Sequence, residues 1–314
     1  MVYFTLIIAF ALIILGATLL TDGSVALAKR FNVPEFVVGL TIVAVGTSMP
    51  ELTVSLLSAL AGKGDMAIGN VVGSNTFNSL LILGVCAICS PLTFTRSNIR
   101  RDIPICIVAT VALLVVTLFN QDINRLEGII LLTGYIVMIV CMIRAEKRAM
   151  LAEPQPAEQS VDKSKLMPLW RIPIWILAGF AGLIYGGELF VSSASDIARS
   201  WGVSEAVIAI TLVAGGTSMP ELASSLVSVL KGNTSLALGN VLGSNIANIL
   251  LILGACSTVT PLTMGDVAMS DIYIIVASAF VLMLSALVIG RDKLTRFEGV
   301  MFVLCYAAYI YTLI

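Results

Sequence analysis

The feature that most constrains this chain is an internal repeat at a fixed offset of 170 residues. Val45 to Leu52 reads VGTSMPEL, and Gly215 to Leu222 reads GGTSMPEL. Gly69 to Asn78 (GNVVGSNTFN) returns as Gly239 to Asn248 (GNVLGSNIAN). Leu80 to Gly84 returns as Leu250 to Gly254, and Pro91 to Thr93 as Pro261 to Thr263. Near the ends of the copies, Glu127-Gly128 matches Glu298-Gly299 at an offset one larger. The repeat covers nearly the whole chain, so the fold must be built from two copies of one unit.

Composition decides the solvent of that unit. Of 314 residues, 58% are hydrophobic and 12% charged, against about 25% charged in soluble domains. So little charge requires lipid as the surrounding medium. Ten apolar segments are long enough to span a bilayer, at roughly 2–20, 36–61, 66–91, 102–119, 126–143, 171–193, 205–230, 235–261, 271–289 and 297–313. The first is too long for the apolar core of a signal peptide and has no charged leader or small-residue cleavage site, so it is read as a retained helix. The expected fold class is all-α integral membrane, with domains at 1–143, a polar linker at 144–170, and 171–314.

Orientation follows from the basic residues. With ten spans, the odd loops hold fifteen of the eighteen Lys and Arg, and the even loops hold only Lys63, Arg125 and Arg199. The odd loops and the linker are therefore expected in the cytoplasm and both termini outside, in the cell (inner) membrane. Five spans per copy is an odd number, so the second copy enters from the opposite side. This is an inverted-topology repeat, whose sites characteristically lie at mid-membrane on interrupted helices.

Glu51 and Glu221 lie near the middle of spans two and seven. A charge there costs roughly 2.5–3.5 kcal/mol and needs a partner or a wet cavity. Thr47 and Glu51 are four apart, as are Thr217 and Glu221, so on a helix each pair shares a face. Pro50 and Pro220 cannot donate to the carbonyls of Gly46 and Gly216. Those carbonyls and their neighbours at Ala44 and Ala214 can then face an ion, or the prolines can simply kink the helix. Ser74 with Asn78 and Ser244 with Asn248 offer further oxygens, although interhelical hydrogen bonding is the alternative. Asn70, Asn75, Asn240 and Asn245 read as braces for broken backbone. The donors are all oxygen and the chain has no histidine, which suits calcium, magnesium, manganese or sodium. Two carboxylates balance one divalent or two monovalent cations. The six cysteines, Cys86, Cys89, Cys106, Cys141, Cys256 and Cys305, read as small hydrophobes. Glu188, inside span six opposite Thr18 of the first copy, has no evident role.

The doubled GTSMPEL and GNVxGSN segments resemble the α-repeats of the cation/calcium exchanger superfamily, most closely its prokaryotic sodium/calcium exchangers. The resemblance implies ten helices in an inverted repeat and calcium moving against sodium by alternating access. It implies calcium held by Thr47, Glu51, Thr217 and Glu221. It implies sodium sites that add Ser74, Ser244 and the backbone oxygens of Ala44 and Ala214, with Asn78 and Asn248 beside the centre. Some members, including potassium-dependent ones, carry Asp where this chain has Asn248. The asparagine makes the centre less acidic and argues against potassium co-transport. Three sodium ions would leave one net positive charge over two carboxylates.

The expected partners are calcium and sodium ions and the lipid bilayer, with no cofactor, nucleic acid or nucleotide. No GxxxxGK[ST] stretch marks an ATP-driven pump, and no mid-span Asp pair or Ser–His pair marks a protease. The leading function is thus sodium/calcium antiport rather than enzyme chemistry. The alternatives are proton/calcium (or other divalent cation) antiport and, from another class, a passive cation channel.

Overall fold

The computed structural model describes residues 2–152, 166–202, 214–265 and 267–313. Within them lie helices α1 (Val2–Phe31), α2 (Glu35–Thr47), α3 (Met49–Leu60), α4 (Gly64–Cys89), α5 (Asn98–Leu118) and α6 (Arg125–Ala152). They are followed by α7 (Arg171–Ser200), α8 (Met219–Leu230), α9 (Thr234–Val259), α10 (Met269–Ile289) and α11 (Arg296–Leu313). Seven of these are long and apolar enough to cross a membrane, or eight if α2 and α3, bent by 45°, form one span. The start of the expected seventh span, 205–213, and linker residues 153–165 lie outside the described residues. Helix α6 continues to Ala152, beyond the expected end of span five at 143. Residues 144–152 are mostly Ala, Arg, Glu, Lys, Met and Leu, all good helix formers, so polarity ends the span without ending the helix.

The outward faces are apolar, as lipid requires. Phe4, Ile7 and Ile14 on α1 and Ile174, Leu177 and Tyr185 on α7 are all exposed. Exposed Trp170 and Trp201 bracket α7. Their 31-residue separation is about 46 Å of helix at 1.5 Å per residue, close to the full bilayer with its headgroups, where such rings settle. The centre belongs to α4 and α9. Their apolar windows are 78% and 94% buried, against 22–39% for the other five long helices.

The two copies grip one another reciprocally. Strand β1 (Leu92–Thr93) pairs antiparallel with β4 (Lys293–Leu294), and β2 (Asp122–Ile123) with β3 (Leu262–Thr263). Leu92 faces Leu294 and Leu262 faces Ile123, so each repeated Pro-Leu-Thr binds the opposite half. The repeated glycines behave alike. A Cβ on Gly299 would sit 2.7 Å from the Gly84 carbonyl oxygen, and one on Gly128 3.0 Å from that of Gly254. The glutamates beside them cap helix starts. Glu127 Oε2 accepts from Asn124 N–H, and Glu298 Oε2 from Thr295 N–H, both at 2.8 Å, as in a capping box. All six cysteines are free thiols, with Cys86, Cys106 and Cys256 buried.

Helices α1 and α7 also pack backbone to backbone. A Cβ on Gly16 would lie 2.7 Å from Leu183 N, and one on Gly179 2.7 Å from Leu20 N. Small residues allow this approach, and dispersion rather than the hydrophobic effect holds such helices together in lipid. Gly179→Leu is therefore expected to destabilise the protein by about 1–3 kcal/mol. Gly134→Leu, at a glycine with open space around it, should be neutral or slightly stabilising. Thermal unfolding in detergent compares the two directly; equal midpoints would contradict the packing described.

Candidate functional site

The site is built where two helices break. At Ser48 the backbone leaves helical geometry (φ −82°, ψ 9°), and at Ser218 it does the same (φ −88°, ψ 6°). New helices start at Met49 and Met219, with Pro50 and Pro220 in their first turns. Proline suits this position because its missing N–H would lack an intrahelical acceptor there. The break falls between Thr47 and Glu51 and bends the first-copy helix by 45°. Thr47 ends α2, whereas Glu51 stands in the first turn of α3, and Glu221 in the first turn of α8. Positive N-terminal helix dipoles thus point at both carboxylates. The Ala44 carbonyl is already engaged, accepting Ser48 N–H at 3.0 Å and Thr47 Oγ1–H at 3.3 Å. Ala214 opens the described stretch Ala214–Gly216.

Glu51 and Glu221 are both 0% exposed. Ser218 donates its hydroxyl to Glu51 Oε1 at 3.0 Å, and Ser48 donates to Glu221 Oε1 at 2.9 Å. Each carboxylate is therefore held by a serine of the other half. Ser74 Oγ on α4 stands 3.5 Å from Glu51 Oε1. Sequence reasoning missed Ser48 and Ser218. Their signal was present, a serine beside the threonine in both copies, but a reading confined to partners four residues apart passes over it.

Asparagines brace the surrounding backbone, as expected. Asn70 Nδ2 donates to the Glu51 carbonyl at 3.3 Å and to Ser55 Oγ at 3.0 Å. Asn240 Nδ2 reaches the Glu221 carbonyl at 3.5 Å and Ser224 and Ser225 at 2.9 Å, while Asn240 Oδ1 accepts from Thr47 at 3.2 Å. Asn75 donates to the Asn245 carbonyl at 3.1 Å, and Asn245 donates to Ser79 Oγ at 2.8 Å, lacing α4 to α9.

Asn78 and Asn248 differ. They lie in wide π-helical turns, Phe77–Ile82 of α4 and Ala247–Leu253 of α9, a deformation frequent at functional sites. Both are fully buried. Asn248 Nδ2 donates to Asn75 Oδ1 at 3.0 Å, but Asn248 Oδ1 and both polar atoms of Asn78 have no partner. Glu51 Oε2, Glu221 Oε2, Thr217 Oγ1, Ser244 Oγ and Asn245 Oδ1 share that condition. Eight of the eleven unsatisfied buried side-chain atoms among the described residues thus fall in the repeated motifs. Each costs about 1–3 kcal/mol unless something completes it, so their concentration marks a place made for a ligand. Among the described residues, no ion pair involves Glu51 or Glu221. No three His, Cys, Asp or Glu converge there either. What remains is a cage of two carboxylates with hydroxyl and amide oxygens, suited to a hard cation.

Comparison with known proteins places this architecture. The sequence profile of the sodium/calcium exchanger protein family matches residues 1–144 and 171–314. A protein named as a candidate antiporter, CaxA of Alkalimonas amylolytica, is 35% identical over 98% of this chain and 97% of its own length. The sodium/calcium exchanger MaX1 of Methanosarcina acetivorans is 30% identical over 97% of this chain and 98% of its own length. Among solved structures, the sodium-calcium exchanger NCX_Mj soaked with Na+ and Ca2+ superposes with a TM-score of 0.84 at 28% identity, covering 100% of this chain and 98% of its own. This integral membrane transporter belongs to the sodium/calcium exchanger family.

Proposed function

We propose that the protein is a secondary-active antiporter that exchanges calcium for sodium by alternating access. The observation that carries this reading is the pair of buried, cross-held glutamates whose second oxygens are unpartnered beside unpartnered oxygens of Thr217, Ser244, Asn78 and Asn248. Thr47, Glu51, Thr217 and Glu221 bind calcium. Ser74, Ser244 and the carbonyls of Ala44 and Ala214 join them for sodium, with Asn78 and Asn248 lining the centre. When both carboxylates are ionised, no protein cation offsets their two negative charges among the described residues. An empty cage is therefore costly, because breaking the compensation of buried charge leaves several kcal/mol unpaid. One calcium or a set of sodium ions fills the same oxygens, and the filled states are the ones free to reorient.

The scaffold for this cycle is ten helices in two inverted five-helix halves, 1–143 and 171–314, joined by a cytoplasmic linker at 144–170. The reading is supported by the 170-residue repeat, the reciprocal β pairs and the exchanged Ser–Glu bonds. Placement in the inner membrane with both termini outside is supported by the segregation of basic residues. That placement is also supported by a relative in Escherichia coli, 32% identical over 85% of this chain and 83% of its own length, which is named inner membrane protein YrbG.

Purified protein in liposomes loaded with sodium should take up calcium-45, and sodium-free liposomes should not. Uptake driven instead by a pH gradient without sodium would establish proton coupling, since a carboxyl can carry a proton in place of a metal. Calcium efflux that external calcium fails to accelerate would identify a channel.

Glu51→Gln and Glu221→Gln should each abolish calcium uptake while the protein still inserts and purifies as a folded species. Normal transport by either variant would refute the site. Ser48→Ala and Ser218→Ala leave both carboxylates in place but remove their orienting donors. The loss expected is about ten- to a hundredfold in apparent calcium affinity, the scale of an outer-shell partner at a metal, measured by calcium titration of uptake.

A further inference from the structure

A cleft of about 700 Å³ opens between α7, α3 and the break before α8, and its lining includes Glu188, Ser192, Ser195, Pro50, Thr217 and Pro220. We propose that Glu188 is an outer capture residue for the transported divalent cation, holding it in this cleft before it passes to the paired glutamates. The inference rests on the proposed exchange of calcium and adds a second, one-sided station to it.

Placement is the first support. Glu188, Ser192 and Ser195 follow at i, i+4 and i+7, one stripe of α7, and that stripe lines the cleft. Thr217, which also lines the cleft, belongs to the candidate ion site, so the cleft connects the acid to the cage. A mid-span carboxylate is expensive in lipid and by default faces a wet, functional path.

Partnering is the second. Among the described residues Glu188 takes part in no ion pair. Ser195 is 4% exposed, lines the same cleft, and its Oγ has no hydrogen-bond partner. Thr217 Oγ1 is likewise unsatisfied. The cation at the mouth, Arg199, is paired with Asp196 at 3.0 Å. It lies three turns from Glu188, about 16 Å along the helix. The apolar walls formed by Met49, Val54, Ile184 and Val191 keep the local dielectric low and focus the field of the carboxylate into the cleft.

Asymmetry is the third. Almost every polar group of the site recurs in both copies, but the counterpart of Glu188 is Thr18. The fold does not demand an acid here. A charge present on one side only raises the local cation concentration at one entrance and leaves the other untouched.

The test is calcium-45/calcium self-exchange, which needs neither a sodium nor a proton gradient, in right-side-out and in inverted membrane vesicles. Glu188→Gln should raise the KM for calcium about three- to tenfold from the cleft side only. That difference should shrink as choline chloride is raised, and the rate at saturating calcium should be unchanged. Glu188→Asp should restore the wild-type KM. An unchanged KM on the cleft side overturns the proposal. So does an equal rise on both sides or a fallen saturating rate, each of which marks a structural role. A wild-type protein that carries no calcium at all overturns the exchanger reading, and this inference with it. Normal wild-type exchange with an indifferent Glu188→Gln overturns this inference alone.

Discussion

Two carboxylates buried without a cationic side chain set the terms for the rest of the molecule. Burying an ionised carboxylate without compensation is among the costliest arrangements a protein can adopt. Here the burial is complete on both, and the compensation supplied by the chain is deliberately partial. Each glutamate receives a serine hydroxyl from the other half and stands in a helix's first turn. One oxygen of each is left over. On the proposed reading, that remainder is the capacity to bind cargo. Full internal satisfaction, for instance by an arginine, would lower the energy of the empty site and abolish its use.

The broken helices serve the same end. A straight helix through Thr47 and Glu51 would aim its dipole past the carboxylate. Restarting the helix at Met49 and Met219 puts N-terminal N–H groups at the glutamates. The deformation is confined to Ser48 in one break and to Thr217 and Ser218 in the other, and the backbone around it is braced by Asn70 and Asn240. The π-helical turns in α4 and α9 are the matching irregularity on the facing helices. Irregular backbone at membrane depth is tolerated only where protein or a polar cavity encloses it, and α4 and α9 are the most enclosed helices described.

Much of this was legible in the sequence, for reasons that can be named. The repeat exposed Glu51 and Glu221 because identical polar residues in two apolar contexts have no other economical explanation. Helix existence followed from apolar length, since lipid forces backbone hydrogen bonds to close within the segment. The helix break was half read: proline announced it, but its 45° bend and its place at Ser48 needed coordinates. Ser48 and Ser218 stayed hidden because their partners are 173 and 167 residues away, and no local periodicity encodes such a contact. Likewise, Glu127-Gly128 and Glu298-Gly299 were visible as repeats without a purpose. Their purpose is a helix cap joined to a backbone approach across the halves.

Reciprocity links site and scaffold. The β pairs, the glycine contacts Gly84–Gly299 and Gly128–Gly254, and the Ser–Glu bonds all join a residue of one copy to a residue of the other. Neither half therefore owns a complete site. On the proposed reading, a motion that slides the two broken helices past each other stretches the Ser–Glu bonds, and a bound ion takes the place of the serine donors. On the proposed reading, this is why cargo gates the motion: a calcium ion supplies the attraction that lets the two carboxylates remain together while their donors slide. On the same reading, a single bound sodium offsets only one of two ionised carboxylates, so partial loading leaves a buried charge exposed to the desolvation penalty. Coupling between the ions, as proposed, then needs no dedicated latch, because the energetics of two unpaired carboxylates already penalise a half-filled carrier.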